Sequence, residues 1–150
     1  MDPKSHTRFF VPPLEKTHEI PDAELNQPRR RILVVEDDIE LTEVLRSYLH
    51  DFNFDVVAAP NGAEGVKKIM ADDFNVVLCD MMMPHLPGDM FYRAVERARP
   101  HLCRRFIFMT GYKGDKKIDE FIRSVRGVIL FKPFQPHVLM DTINLVLAKP

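Results

Sequence analysis

Cysteine is scarce, with Cys79 and Cys103 the only two in 150 residues. Two cysteines are too few for a disulfide framework, and a reducing, cytoplasmic setting is the simpler expectation. An excess of one charge is missing as well. The 21 Lys and Arg against 22 Asp and Glu give a formal net charge of -1, which lacks the basic footprint of a nucleic-acid binder. The three arginines at 29–31 are too few to supply one. No apolar run approaches the roughly 18 residues of a membrane span, and the opening MDPKSHTRFF holds no signal-peptide core. What is left is an ordinary globular composition, 45% apolar and 29% charged, for a chain expected to be neither exported nor inserted in a membrane. Its length suits one domain with a substantial core.

Proline is unevenly spread. Residues 1–30 hold five of the twelve, among Glu, Thr, Asn and Gln, with Phe9, Phe10 and Val11 as a short apolar cluster. This stretch reads as a Pro-rich extension or linker ahead of a domain over 31–150.

Within the domain, non-alternating apolar runs mark strands covered on both faces. Ile32, Leu33, Val34 and Val35 lie in a strand over 31–36 that runs into Glu36, Asp37 and Asp38. The period then changes: Leu41, Val44, Leu45, Tyr48, Leu49 and Phe52 recur at three and four, a helix for which Asp38 is a suitable cap. A short strand over 55–59 and the turn Pro60-Asn61-Gly62 lead to a helix with Val66, Ile69 and Met70 inward. Val76, Val77, Leu78 and Cys79 form the third strand, which stops at Asp80. A helix over 88–99 follows, with Met90, Phe91 and Val95 as its stripe, and Pro100 ends it. Cys103 falls in a loop. The fourth strand, 105–109, ends at Thr110; after Gly111 and Gly114 comes a helix with Ile118, Phe121, Ile122 and Val125 on one face. The fifth strand, 128–131, ends at Lys132-Pro133, and a last helix covers 136–148. Five strands alternating with five helices through short loops specify a doubly wound parallel sheet, an α/β fold.

All strand tips of a parallel sheet share one edge, where open α/β folds collect ligands. That edge would hold Glu36, Asp37, Asp38, Asp80, Thr110 and Lys132. Singly, each has a plain structural role: a helix cap for Asp37 or Asp38, a turn for Asp80, a strand-end hydroxyl for Thr110, a solvated charge for Lys132. Jointly they are a chemical set. Crowded carboxylates repel unless a cation neutralises them, and a hard ion such as Mg²⁺ prefers oxygen ligands and keeps several waters. No His or Cys stands at a zinc-ligand spacing; His50, His85, His101 and His137 are scattered over helix ends and loops, and His6 and His18 lie in the extension. With a metal beside it, Asp80 can attack phosphorus, since carboxylates form aspartyl-phosphate intermediates. Lys132 and the Thr110 hydroxyl would meet the charge on the transferring group.

Together RILVVEDD, NVVLCDMMMP, FIFMTGY and FKPF, in this order and at these spacings over about residues 30–148, make the sequence resemble the receiver domain of two-component response regulators. The resemblance implies a flavodoxin-like (βα)5 fold with strand order 2-1-3-4-5. It implies that Asp80 accepts a phosphoryl group from a phosphohistidine on a histidine kinase or a histidine phosphotransfer protein. Asp37 and Asp80 would ligate Mg²⁺ with the backbone carbonyl of Met82, Glu36 would act through water, and Asp38, one place beyond the acid pair, drops out of the metal site. Thr110 and Lys132 become the switch hydroxyl and the phosphate-binding lysine. Such a chain is no conventional enzyme and catalyses only its own phosphorylation and slow dephosphorylation. A homodimer through the face of the fourth helix, fifth strand and fifth helix is a further expectation.

The resemblance departs at Ile129. Three residues before the lysine the family often carries Tyr or Phe, whose ring turns inward on activation, so an aromatic switch has no residue there. The loop after Thr110, or the helix that follows it, is left to carry the signal. Met82 and Tyr112, two residues after the acceptor and the threonine, flank the path of an attacking water and are expected to slow hydrolysis. Output is expected through protein contacts, or else the chain is a fragment, since TRFFVPP and the linker resemble the end of a histidine kinase ATP-binding domain leading into a receiver. Two other readings compete. An Asp-nucleophile phosphatase usually has a second acid two residues after the nucleophile, where this chain has Met82. A receiver-like interaction module that is never phosphorylated has no need of the intact acid pair, Thr110 and Lys132.

Overall fold

The computed structural model describes residues 28–83, 86–111 and 114–150. Most of the expected extension, up to residue 27, therefore lies outside the described residues, as do Pro84 and Tyr112. Strands β1 (Arg30–Val35), β2 (Phe54–Ala59), β3 (Val76–Asp80), β4 (Phe106–Thr110) and β5 (Val128–Phe131) alternate with helices α1 (Ile39–Asp51), α2 (Gly62–Ala71), α3 (Gly88–Ala98), α4 (Lys116–Ser124) and α5 (Pro136–Leu147). Every strand pairing is parallel and the order is β2-β1-β3-β4-β5, the flavodoxin-like arrangement expected.

The apolar runs explain the layering. In β1, Ile32 and Val34 face one side and Leu33 and Val35 the other, because side chains alternate along a strand. The first pair packs with Leu45 and Leu49 of α1 and Leu139 and Ile143 of α5. The second packs with Ile69 of α2, Phe91 and Tyr92 of α3, and Ile122 of α4. Side-chain caps begin three helices: Asp38, Asn61 and Asp115 accept from the backbone N–H groups of Leu41, Glu64 and Ile118 at 3.2, 2.9 and 3.1 Å.

Two inward assignments are corrected. Met70 and Met90 are 56% and 55% exposed. The inner face of α2 is instead Gly62, Gly65 and Ile69, and α3 turns Phe91, Tyr92 and Val95 inward. A Cβ on Gly65 would lie 2.8 Å from the Phe91 ring, so α2 and α3 touch through a glycine. The expected loop around Cys103 is a 3-10 helix, Pro100–Arg105, which delays β4 to Phe106 and brings Thr110 into the strand. Ile129 is half-buried and packs on the α2–α4 face, level with Phe108. Among the described residues no helix is long and apolar enough to cross a membrane.

Candidate functional site

Register places the polar residues before any side chain is considered. Val35 pairs with Cys79, so Glu36 follows level with Asp80, and the Glu36 N–H extends the ladder to the Ala59 carbonyl at 3.0 Å. Thr110 pairs with Phe131, and the Lys132 N–H donates to the Thr110 carbonyl at 2.8 Å. Glu36, Asp80, Thr110 and Lys132 thus lie at the carboxyl edge, next to the point between β1 and β3 where the strand order reverses. In open α/β sheets that crevice is where ligands bind.

This end of the sheet is polar yet closed. Glu36 and Asp80 are each 2% exposed and Thr110 is 1% exposed, while Asp37 is half-buried. The Lys132 ammonium donates to Glu36 Oε2 at 2.5 Å and stands 3.6 Å from Asp80 Oδ2. Asp80 Oδ1 accepts from the Met82 N–H at 3.1 Å, and Glu36 Oε1 from the Asp38 N–H at 3.1 Å. Burial, with the Asp80 carboxylate beside it, pushes the Glu36 carboxyl up to about 7 against the pull of Lys132.

The donor set fits a hard divalent cation. Glu36, Asp37 and Asp80 each offer a carboxylate oxygen within 4.8 Å of the others. Three carboxylates against one ammonium leave an excess of negative charge, all on oxygen, as Mg²⁺ prefers. Asp38 spends a carboxylate oxygen on capping α1. The Met82 side chain is 44% exposed, on the loop that leaves Asp80.

Two features escape a reading of the sequence. The Glu36–Lys132 pair joins residues 96 apart, and nothing local signals it beyond the shared strand edge. Gly88 is the other: a Cβ there would lie 2.8 Å from the Asp80 carbonyl and 2.9 Å from the Met81 sulfur. Only glycine lets α3 start this close to the strand tip. An isolated Gly after Pro87 gives no hint of that beyond a helix start.

The arrangement has known counterparts. The family model described as the response regulator receiver domain matches residues 32–144. The transcriptional regulatory protein CpxR homolog of Haemophilus influenzae is 47% identical over 121 residues, 79% of this chain and 51% of that protein. The hydrogenase transcriptional regulatory protein HoxA of Bradyrhizobium diazoefficiens is 31% identical over 115 residues, 75% of this chain and 23% of that protein. The chain thus spans about half or less of the curated relatives it matches. Among solved structures, the chemotaxis protein CheY4 of Vibrio cholerae superposes with a TM-score of 0.72 at 26% identity, covering 79% of this chain and 99% of that one. A CheY-like receiver domain protein of Methanospirillum hungatei gives 0.73 at 27% identity, covering 79% and 94%. Receiver domains bind Mg²⁺ in an acidic pocket and take phosphoryl groups from histidine kinases or phosphotransfer proteins. By family match, sheet order and the acid cluster at its strand tips, this chain belongs to the receiver domains of two-component response regulators.

Proposed function

We propose that this chain is a phosphorylation-dependent cytoplasmic switch in which Asp80 accepts a phosphoryl group from a phosphohistidine of a histidine kinase or histidine phosphotransfer protein. One observation carries the reading: the Asp80 carboxylate, level with Glu36 at the end of β3, has a lysine ammonium 3.6 Å from Oδ2 and two further carboxylates within 4.8 Å. An Asp80 oxygen forms the bond to phosphorus as the N–P bond of the donor breaks. The electron pair of that bond returns to the imidazole nitrogen, and the ring leaves neutral because its other nitrogen already carries a proton. Asp37, Asp80 and the Met82 carbonyl, with Glu36 through water, would hold Mg²⁺, which when bound supplies neutralisation of charge on the phosphoryl oxygens.

Lys132 then exchanges its Glu36 contact for a phosphoryl oxygen, and the Thr110 hydroxyl donates to another. A hydrogen bond to a charged group contributes roughly 1.5–3 kcal/mol. Two such bonds approach the roughly 5.5 kcal/mol that moves a two-state equilibrium from 1:99 to 99:1. The exposed Met82 side chain shields the acyl phosphate from water and, with Tyr112, slows its hydrolysis. A homodimer through the face of α4, β5 and α5 belongs to the same proposal, and α5 exposes the apolar Val138 and Leu145, 39% and 58%.

Intact-mass measurement after incubation with Mg²⁺ and acetyl phosphate, or with a phosphorylated histidine phosphotransfer protein, tests the assignment. One phosphoryl adduct is expected on the wild type, with none on Asp80→Asn or in excess EDTA. An adduct that persists in Asp80→Asn, or none from either donor, overturns it.

A further inference from the structure

The opposite edge of the sheet holds a cavity that none of this chemistry uses. It has a volume of about 390 Å³ and opens between the 3-10 helix and the start of β5. The half-buried Val125 and Val128 contribute the apolar wall, with Phe106 and Phe108 buried beneath them, Cys103 forms one side, and Arg104, Arg126 and Lys149 are the charged lining; among the described residues no Asp or Glu lines it. Glu96, whose charge is felt by the lining residues Tyr92 and Cys103, is held by Arg93 at 3.3 Å. Arg104 donates through Nη1 to the Pro150 carbonyl at 2.6 Å, one of the five N–H donors a guanidinium carries.

The backbone is shaped around this space. Arg126 adopts φ 54°, a left-handed conformation uncommon for a residue with a side chain. Gly127 follows because a Cβ there would lie 2.6 Å from the Phe108 ring. The turn therefore presses its backbone onto the ring and leaves the Arg126 side chain exposed. A volume of this size is within the roughly 300–1,000 Å³ of small-ligand sites, which combine apolar walls with a few placed polar groups. Here every charged residue in the lining is cationic.

We propose that this cavity binds a small organic anion, with an apolar body against the half-buried Val125 and Val128 and a carboxylate, sulfonate or phosphate held by Arg104, Arg126 and Lys149. The site is separate from the acid cluster, and its occupation does not depend on phosphorylation of Asp80.

Cys103 is a built-in reporter, since it lines the cavity while Cys79 is fully buried. Three measurements on the full chain test the site. Rates of Cys103 alkylation by anionic iodoacetate and neutral iodoacetamide are compared with those of free glutathione at the same pH. The cationic lining predicts an iodoacetate preference several times that of glutathione, reduced by salt. The fluorescent aromatic sulfonate 8-anilinonaphthalene-1-sulfonate is expected to bind once, saturably, and to protect Cys103. In Arg104→Gln combined with Arg126→Asn, the probe binds at least about tenfold more weakly, because a bond between charged partners is lost. Asn suits the left-handed backbone, and unchanged phosphorylation at Asp80 confirms that the variant is folded. Equal reagent preference, non-saturating probe binding, probe binding unaltered in the double variant, or a Cys103 that neither reagent reaches would each overturn the proposal.

Discussion

The two edges of the sheet use charge differently. In a parallel α/β sheet helix N-termini gather at the carboxyl edge and C-termini at the amino edge, so their dipoles favour anions at the first and cations at the second. At the amino edge, arginines reach the last carbonyls of the helices: Arg29 donates to His50 O at 2.9 Å, Arg99 to Met70 O at 3.3 Å and Arg105 to Val146 O at 3.0 Å. These groups are spread out and partly solvated, and they complete helix ends. At the carboxyl edge Glu36 and Asp80 are 2% exposed and confined with Asp37 around one lysine. Burial, more than the number of charges, separates a site from a solvated rim, because repulsion is strong where water is excluded.

Removing Lys132, the ammonium held between the buried acids at the carboxyl edge, should produce the largest effect. Lys132→Ala leaves Glu36 and Asp80 facing each other, and breaking a buried pair from one side costs about 3–5 kcal/mol. Glu36, already raised to about 7, relieves part of this by taking a proton, so a loss of about 2–3 kcal/mol is expected in urea unfolding of metal-free protein. Phosphoryl transfer to Asp80 should be abolished or nearly so. Arg105→Gln, at the other edge, should cost about 1 kcal/mol or less and leave phosphorylation intact. Equal costs at the two edges would remove the distinction.

Gly88→Ala comes next. The added methyl meets the Asp80 carbonyl and Met81 at 2.8 and 2.9 Å, and overpacking of this kind costs about 1–3 kcal/mol. Because α3 must back away from the strand tip, the rate of phosphorylation should fall as well. A variant with wild-type unfolding midpoint and wild-type rate would show that the approach is not needed. Asp37→Asn should have a smaller effect of opposite sign on stability. It relieves repulsion and raises metal-free stability by about 1 kcal/mol, while weakening Mg²⁺ binding at least tenfold, as followed by calorimetric titration. Loss of both stability and affinity would mean that Asp37 supports the fold and is not held there for a metal.

Much of this is legible from residue order alone, because fully apolar strands that end in polar residues mark both the sheet and its functional edge. Asp80, Thr110 and Lys132 stand at or just past the ends of three different strands, and the parallel topology puts them together. What stays hidden is set by small residues and by distance. Gly62 and Gly65 give α2 an inner face with no large side chain, which is why Met70 looks inward in the sequence and is exposed in the structure. In α3 the inward face includes Tyr92, not Met90, since a ring with a hydroxyl hides its apolar character from a count of aliphatic positions. The Glu36–Lys132 contact follows from register, yet its shortness comes from burial, which order does not reveal.

The smallest effect belongs to the amino-edge side of the core, on the alkaline side of neutrality. Burial, then the hydrogen bond with Cys103, pushes the Tyr92 hydroxyl up to about 12 from an ordinary value of 10.0. The folded state therefore holds this proton more tightly than the unfolded state. The associated stability is fully present below pH 10 and declines as pH rises through about 12, where the unfolded chain releases the proton first. Tyr92→Phe removes this term, so stability above pH 10, read as urea midpoints at successive pH values, should fall less steeply than in the wild type. The variant also loses the bond to Cys103, which lowers stability by about 1 kcal/mol at all lower pH values. The two curves should converge as the solution becomes more alkaline. Curves that stay parallel above pH 10 would place the alkaline sensitivity elsewhere, the nearest alternative being Cys79, whose fully buried thiol is raised well above its ordinary range by desolvation.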